Sequence, residues 1–412
     1  TRLCIIWAAQ SNIHAQRVLA AQRECASRDR GGGERSRDLQ TRRESGDSRR
    51  DLHAICMLMV VSTPSKSASA VRDRLQQVCE AHKWIRVALN HYQPPDELPF
   101  VHPCIISTSF ISGFKSRLWK RLKPDELSGF THLWLVDSDM DFAPSNFDLP
   151  TLLRLQSATN VSIIAPSPHG DNPTPGWNPF AHHPMPRLKE RCGISTPEQS
   201  CAVCHHAGVE VKAPVFTAAA WQAVHAHIYA GAPDAVLIGD GFVDLYWCNL
   251  VGEMVHGCKL PSRQNRSAHH IPSCLGVACA YSYATPLFHL DDQVIVGTNS
   301  WCRAVNYDSA PLYKFASSQG LDDFKMQPSW RPPNTTLQVS RACWSLHDAA
   351  ASQPALVGFD PTRLAALAQS ARRGVKGQRT PRIKANDTDQ HGCKHAAREP
   401  RHPNRKKKTT WL

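Results

Sequence analysis

The sequence FTHLWLVDSDMDFAPSNFD, residues 130–148, joins an apolar segment to a cluster of acids. Its apolar part, residues 133–136, has the length and composition of a buried β-strand. Asp137, Asp139 and Asp141 follow at alternate positions. Carboxylates so close together repel one another unless a positive charge lies between them. Their oxygens suit a hard divalent cation, and ligands of α/β sheets bind beyond the carboxyl ends of the strands. The pattern therefore predicts a metal site.

Two other interpretations of the same acids need weighing. Aspartates that follow a strand often lie in a solvated turn and bind nothing. The acids also match an EF-hand calcium loop at its positions 1, 3, 5, 9 and 12, namely Asp137, Asp139, Asp141, Ser145 and Asp148. Position 6 of such a loop needs glycine but is Phe142 here, and the preceding segment reads as a strand rather than a helix. The EF-hand is therefore rejected, whereas the solvated turn stays open.

Strand-like and helix-like segments alternate around this cluster. Predicted strands cover residues 55–62, 84–92, 104–109, 161–167 and 281–292. Predicted helices cover residues 68–82, 116–122 and 150–157, and another begins after Thr217, which is a suitable N-cap. Alternation of this kind predicts an α/β fold with a Rossmann-like, mostly parallel sheet flanked by helices.

Charge is unevenly distributed along the 412 residues, and much of the net charge of +13 lies near the two ends. Residues 28–50 and 398–408 are rich in Arg and Lys and poor in apolar residues, which predicts disorder. A nucleic-acid role would depend on these tails, which lack interleaved aromatic residues or a recognisable binding module. We predict a disordered leader at 1–51, a main domain at 52–300, a C-terminal appendage at 301–380 and a basic disordered tail at 381–412.

The 15 cysteines favour the lumen of the secretory pathway, where disulfides persist. Four N-glycosylation sequons agree with this location, at Asn160, Asn265, Asn334 and Asn386. No apolar run approaches the roughly 18 residues of a membrane span. We expect any membrane association to come from an anchor N-terminal to Thr1.

Residues 168–207 are rich in proline and histidine and are predicted to form a loop. Two interpretations apply to its Cys/His cluster, residues 192–206. Its side chains could hold zinc, and Cys201-Ala-Val-Cys204-His205 matches the haem-attachment pattern. In a lumenal protein, disulfides and surface histidines are favoured over both.

An ordered series of sequence blocks resembles a known family. The blocks are SRLWKRL, THLWLVDSDM followed by NFDLP, VSIIAPS, GVEVKAPVFTAAAW, GDGFVDLYWC and FHLDD. They resemble a plant and algal family of uncharacterised proteins with a glycosyltransferase-like GT-A fold, formerly labelled as related to lysine-ketoglutarate-reductase trans-splicing. The resemblance covers residues 55–292. Gly239-Asp240-Gly241 stands where that family has Trp-Gly, and the spacing to Cys248 makes Asp244 the better match for its aspartate.

The resemblance implies roles for named residues. Asp137 and Asp139 would bind the metal, Mn²⁺ or Mg²⁺, beneath a nucleotide-sugar diphosphate. His289 would complete the metal sphere, or would be a hydrogen-bonded histidine near a strand end without a metal. For other residues, two explanations stay open. Asp244 or Asp240 would deprotonate an acceptor hydroxyl, or would only cap a helix. Glu210 would bind sugar hydroxyls, and Trp247 would stack on a sugar or pack in the core.

Together these inferences predict a metal-dependent glycosyltransferase in the Golgi lumen. It would move a sugar from a nucleotide-sugar donor to a hydroxyl of a glycan or glycoprotein acceptor, without a specific nucleic-acid partner. The alternative is a catalytically inactive GT-A-like binding or scaffold protein, because a fold alone does not establish chemistry.

Overall fold

The computed structural model describes residues 20–21, 23, 55–63, 68–91, 100–111, 115–169, 201–205, 208–237, 243–259, 278–288, 290, 309–324 and 343–345. The predicted tail at 381–412 and nearly all of the predicted leader at 1–51 lie outside these residues. None of the helices in the described part is long and apolar enough to span a membrane.

The described elements alternate as the sequence predicts. The strands are β1 (Met57–Thr63), β2 (Ile85–His91), β3 (Ile105–Phe110), β4 (His132–Asp137), β5 (Ile163–His169), β6 (Cys201–His205), β7 (Val215–Thr217), β8 (Cys279–Phe288) and β9 (Cys343–Ser345). The α-helices are α1 (Ala68–Ala81), α2 (Lys115–Lys120), α3 (Leu149–Thr159), α4 (Ala218–Val224), α5 (Asp244–His256) and α6 (Ser309–Ser318). A π-helical turn, His225–Tyr229, continues α4, and 3-10 turns cover Pro124–Leu127 and Leu321–Phe324.

The described strands form one sheet in the order β3-β2-β1-β4-β7-β5-β8-β6-β9. β1 pairs in parallel with β2 and β4, β2 with β3, and β5 with β8. β7 is antiparallel to both β4 and β5, and β6 is antiparallel to both β8 and β9. Seven of these nine strands therefore run in one direction. The predicted α/β fold with a mostly parallel sheet flanked by helices is confirmed.

The order of the strands locates a crevice. From β1 the chain passes through α1 to β2 on one side, whereas β4 lies on the other side of β1 and leads through α3 to β5. Ser62 of β1 and Asp137 of β4 are partners in the register of this pair. Ligands of open α/β sheets bind at such a switch point, outside the carboxyl ends of the strands. Asp137 lies at that place.

Side-chain alternation along the central strands gives the sheet two apolar faces. Leu133 and Leu135 of β4 belong to the core on one face, whereas Trp134 and Val136 belong to the core on the other. β1 alternates in the same way, and all seven of its residues are buried. α1 and α3 cover the face of Trp134, and α2, α4 and α5 cover the face of Leu133.

Two helix starts follow from their capping residues. Asp148 caps α3, because its carboxylate accepts hydrogen bonds from the backbone N–H of Thr151 at 3.0 Å and from its hydroxyl at 2.8 Å. The predicted N-cap Thr217 is confirmed: its hydroxyl accepts a bond from the N–H of Ala220 at 3.3 Å. At the other end of α3, Asn160 adopts φ 52°, a left-handed conformation that asparagine tolerates.

Described residues of the predicted appendage share the core of the main domain. Leu312 and Phe324 belong to the same apolar cluster as α5, and Asn249 of α5 donates its side-chain N–H to the carbonyl of Phe324 at 2.9 Å. β9 pairs with β6. The domain boundaries at 300 and 380 stay predictions.

The prediction of a loop over residues 168–207 is wrong in part. Cys201–His205 forms β6, which lies between β8 and β9 in the sheet. Sequence analysis missed it because the strand is short and its composition is unlike that of a buried strand. Cys192 and His206, the outer members of the Cys/His cluster, lie outside the described residues.

Two described disulfides join elements of the domain. Cys79 of α1 bonds Cys104, and Cys248 of α5 bonds Cys279 at the start of β8. Their sequence separations are 25 and 31 residues. Cross-links of this length stabilise a fold mainly by restricting the unfolded chain.

We predict that replacing both Cys248 and Cys279 by alanine lowers the free energy of unfolding by roughly 3 kcal/mol. Urea unfolding without reductant measures this loss. The matched variant, with Cys79 and Cys104 replaced by alanine, should lose a similar amount, because the entropy of loop closure changes slowly with loop length. Equal stability of the wild type and the Cys248/Cys279 variant would contradict this stabilisation.

Candidate active site at the carboxyl ends of the strands

Asp137 is fixed by backbone hydrogen bonds at the end of β4. Its N–H donates to the carbonyl of Lys212 at 2.9 Å, and the N–H of Ser138 donates to the carbonyl of Ser62 at 3.2 Å. These bonds hold the start of the acidic turn, residues 137–141, between β1 and the segment before β7. Asp137 is therefore held at the carboxyl end of β4, where ligands of such folds bind.

A lysine that sequence analysis did not select neutralises this carboxylate. Nζ of Lys115, the first residue of α2, lies 2.9 Å from Oδ1 and 2.8 Å from Oδ2 of Asp137. Their side chains are 15% and 19% exposed, so the pair is partly shielded from water. Shielding strengthens a charged pair relative to one on the open surface.

Arg74 of α1 holds the acidic turn from the other side. Its Nη1 donates to the carbonyl of Met140 at 2.8 Å and its Nη2 to that of Ser138 at 2.5 Å. The guanidinium also lies 5.0 Å from the centre of the Phe142 ring. Burial lowers the pKa of Arg74, and the charges of Asp141 and Asp139 oppose that shift.

A signal for Arg74 was present in the sequence. It occupies the helical face of Val71, Leu75 and Val78, where a charged residue needs a partner to be buried. The acidic turn supplies that partner.

The end of β8 meets the same turn. The N–H of Asp141 donates to the carbonyl of Phe288, and the N–H of Leu290 donates to the carbonyl of Asp139, both at 2.7 Å. His289, predicted as a metal ligand, lies outside the described residues. The residues on either side of it in the chain are thus bonded to the turn that carries Asp139.

Asp244, the first residue of α5, is an ionisable group in an unusual environment. Burial and, to a smaller extent, the negative charge of Glu210 raise its pKa to about 7. Hydrogen bonds from its own N–H and that of Leu245, together with the charge of Lys115, oppose the shift. Asp240, the other predicted catalytic acid, lies outside the described residues.

Glu210 lies beside Asp244 and is only 13% exposed. Lys212 Nζ lies 3.2 Å from its Oε1, and the backbone N–H of Glu210 donates to the Tyr281 hydroxyl at 2.7 Å. The structure therefore brings the predicted residues Asp137, Glu210 and Asp244 into one electrostatic group around Lys115.

The C-terminal helix α6 also reaches this group. Burial raises the pKa of Tyr313, and the nearby Tyr246 and Asp244 add to the shift. The two tyrosine rings lie 6.5 Å apart. Residues from the predicted appendage thus border the acid of α5.

Trp247 is placed differently from its predicted sugar-stacking role. Its indole is fully buried and packs edge-on against Phe216 at 5.1 Å and Trp119 at 5.7 Å between ring centres. A sugar cannot reach it in this arrangement. The alternative that sequence analysis kept open, core packing, describes its position.

The donor set of the acidic turn is chemically suited to Mg²⁺ or Mn²⁺, because Asp137 and Asp139 offer carboxylate oxygens. In the part of the chain that the structure describes, these acids are not part of a group of three ligand atoms close to one another. Among the described residues one such group of Cys, His, Asp or Glu ligand atoms lies within 4.8 Å, that of Cys79, His102 and Cys104. It lies at the amino ends of β2 and β3, and its two cysteines are disulfide-bonded.

Comparison with solved structures finds a glycosyltransferase. It is the mannosyltransferase PcManGT from Pyrobaculum calidifontis in complex with GDP-Man and Mn²⁺. The identity is 12% and the TM-score 0.37, over 93% of this chain and 97% of the other. No family model and no curated protein match the sequence. The assignment of function is therefore argued from the residues of the site.

We predict that the stability of the protein falls relative to Asp244→Asn as the pH rises from 4 to 8. The folded state binds a proton at Asp244 up to a pH of about 7, whereas the ordinary pKa is 3.8. The folded state thus holds more protons between these values, so ionisation opposes folding as the pH increases. Urea unfolding at pH 4, 6 and 8 measures the difference, which should reach a few kcal/mol.

Asp234→Asn is the control, because Asp234 is exposed and a hydrogen bond from Lys120 lowers its pKa. The stability of the wild type relative to Asp234→Asn should change little with pH, and any change should be opposite in sign to that for Asp244→Asn. A difference between wild type and Asp244→Asn that stays constant from pH 4 to 8 would contradict the raised pKa.

We predict that Trp247→Ala lowers the free energy of unfolding by about 3–5 kcal/mol, because it leaves a cavity beneath Phe216 and Trp119. Trp247→Phe should cost clearly less, since it keeps an aromatic ring in the same space. Chemical denaturation measures both. An alanine variant as stable as the wild type would show that the indole is not part of the core.

Proposed function

We propose that this protein is a metal-dependent glycosyltransferase that moves a sugar from a nucleotide-sugar donor to a hydroxyl of a glycan or glycoprotein. One observation carries the proposal: Asp137, Lys115, Asp244 and Glu210 form one group beyond the carboxyl ends of the strands. This group joins metal-binding oxygens to an acid that can take up a proton.

Asp137 and Asp139 are the residues proposed to hold the ion, with His289 as a third ligand suggested by the sequence. A bound dication supplies a positive charge against the departing diphosphate. Arg74 bonds two backbone carbonyls of the acidic turn. The position of the carboxylates in that turn therefore does not depend on the ion alone. A site fixed before binding loses less entropy when its ligands arrive.

Asp244 is the proposed general base, with Asp240 as the second candidate from the sequence. A pKa of about 7 lies near the working pH, where a carboxylate can accept a proton efficiently. In a direct displacement, the acceptor hydroxyl gives its proton to Asp244 while its oxygen bonds to the anomeric carbon. The bond from that carbon to the diphosphate breaks, and the electron pair leaves with the diphosphate.

Glu210 is proposed to bind sugar or acceptor hydroxyls. Its carboxylate borders Asp244 and is paired with Lys212 on one oxygen, at 3.2 Å. Acting from that position, it also keeps the pKa of Asp244 high. A carboxylate that does both would link acceptor binding to the protonation of the base.

We further propose that the protein works in the secretory pathway, in the Golgi lumen. The two described disulfides support this, since such bonds persist in oxidising compartments.

A scaffold protein with the same fold is the second candidate. The Lys115–Asp137 pair favours it, because the ammonium neutralises that carboxylate without a metal. Such a protein would stay folded and bind neither Mn²⁺ nor a nucleotide.

We predict that the full chain binds a nucleoside diphosphate when Mn²⁺ is present and that Asp139→Asn weakens this binding by at least about tenfold. The reason is the loss of an ionic ligand to the ion, which costs well over the ~1.4 kcal/mol of a tenfold change. Isothermal titration with GDP, UDP, ADP and CDP, with Mn²⁺ or with EDTA, measures the effect.

Asp125→Asn is the matched control, because Asp125 is exposed on the 3-10 turn before β4 and should leave binding unchanged. A well-folded protein that binds none of the four nucleotides with Mn²⁺ would favour the scaffold function instead.

A further inference from the structure

The side chain of Lys115 is ordered by more than its ion pair. Its Nζ contacts both oxygens of Asp137, at 2.8 and 2.9 Å, and lies 5.8 Å from the centre of the Trp119 ring. Trp119 is itself buried in the core, so this ring is a fixed surface for the ammonium. Lys115 thus occupies the side of Asp137 from which both carboxylate oxygens are reached.

A divalent ion needs the same oxygens. An ion bound to Asp137 from this side would stand within a few ångströms of the ammonium, where repulsion between the two cations is strong at low dielectric. The ammonium contacts both oxygens of Asp137 at once, so it occupies the position between them that a dication held by both oxygens would need. The two cations therefore compete for this position.

We infer that Lys115 is a resident counter-ion that competes with the divalent cation for Asp137. This inference depends on the proposed function, since it concerns the same metal site. In the absence of the ion, Lys115 holds the carboxylate in place and prevents its repulsion from the neighbouring acids. When the ion binds, the ammonium leaves Asp137.

A second acid lies ready to accept the displaced ammonium. Lys115 is within electrostatic reach of Asp244, and Glu210 lies beside that residue. The negative charges of these acids would attract Nζ once it leaves Asp137, so the displaced ammonium would keep part of its electrostatic compensation. The oxygens of an incoming diphosphate would be further hydrogen-bond acceptors for the displaced ammonium of Lys115.

The test measures Mn²⁺ affinity on the full chain without nucleotide, by electron paramagnetic resonance of the unbound ion. Lys115→Met should bind Mn²⁺ about tenfold or more tightly than the wild type, because a charged hydrogen-bond partner of Asp137 is removed. Lys115→Arg keeps the charge and should stay close to the wild type. Adding Asp137→Asn to Lys115→Met should abolish the gain.

Lys120→Met is the matched control. It removes a lysine from the same helix, but one that pairs with Asp234 at 2.7 Å on the surface. Its Mn²⁺ affinity should equal that of the wild type. Circular dichroism checks the fold, and Lys115→Gln, which keeps a hydrogen-bond donor without the charge, replaces Lys115→Met if that variant does not fold.

The outcomes separate this inference from the proposed function. A charge-removing variant at 115 that binds Mn²⁺ no more tightly than the wild type overturns the inference, even if Mn²⁺-dependent nucleotide binding is found. A variant that gains Mn²⁺ affinity while the wild type binds no nucleotide with Mn²⁺ supports the inference and contradicts the transferase.

Discussion

Negative charge confined to one edge of the sheet is the constraint on which the site depends. Asp137, Asp139 and Asp141 leave β4 within five residues, and α5 brings Asp244 to the same region with Glu210 beside it. Such acids cannot be gathered without compensating cations. The fold supplies Arg74 from α1 and Lys115 from α2, so the helices on both faces of the sheet take part in neutralising one turn.

The two cations act differently. Arg74 bonds carbonyl oxygens of the turn and lies against Phe142, so it fixes the backbone and leaves the carboxylates to other partners. Lys115 bonds the carboxylate of Asp137 itself. Removing either would expose the acids to one another, but only the lysine stands where a metal ion would be bound. The shape of the turn and the neutralisation of its first carboxylate thus depend on different cations.

Sequence patterns predicted the strands and helix caps that depend on local structure. The apolar run of residues 133–136 gave β4, and the polar residues after it gave the position of Asp137. The cap at Thr217 followed from residue type alone. Lys115 and Asp137 are 22 residues apart, and Lys115 precedes an amphipathic segment without any local feature that marks it. Its role arises only when α2 packs beneath the strands.

Residue type was a poor guide for other positions. A tryptophan side chain can stack on a sugar or pack in an apolar core. Trp247 packs in the core, against Phe216 and Trp119. β6 and β9 are short and sit at the far edge of the sheet, where periodicity is weak. Arg74 is the instructive intermediate. Its place on an apolar face indicates that a partner is buried with it, but does not indicate that the partner is the backbone of the acidic turn.

The Cys248–Cys279 bond has a consequence for the geometry of the whole site. Cys248 lies one helical turn after Asp244, and Cys279 opens the strand whose far end bonds the turn of Asp139 and Asp141. The covalent link thus couples the helix that carries Asp244 to the strand that supports the acidic turn. The cross-link therefore limits how far the helix and the strand can move apart, and with them Asp244 and the acidic turn.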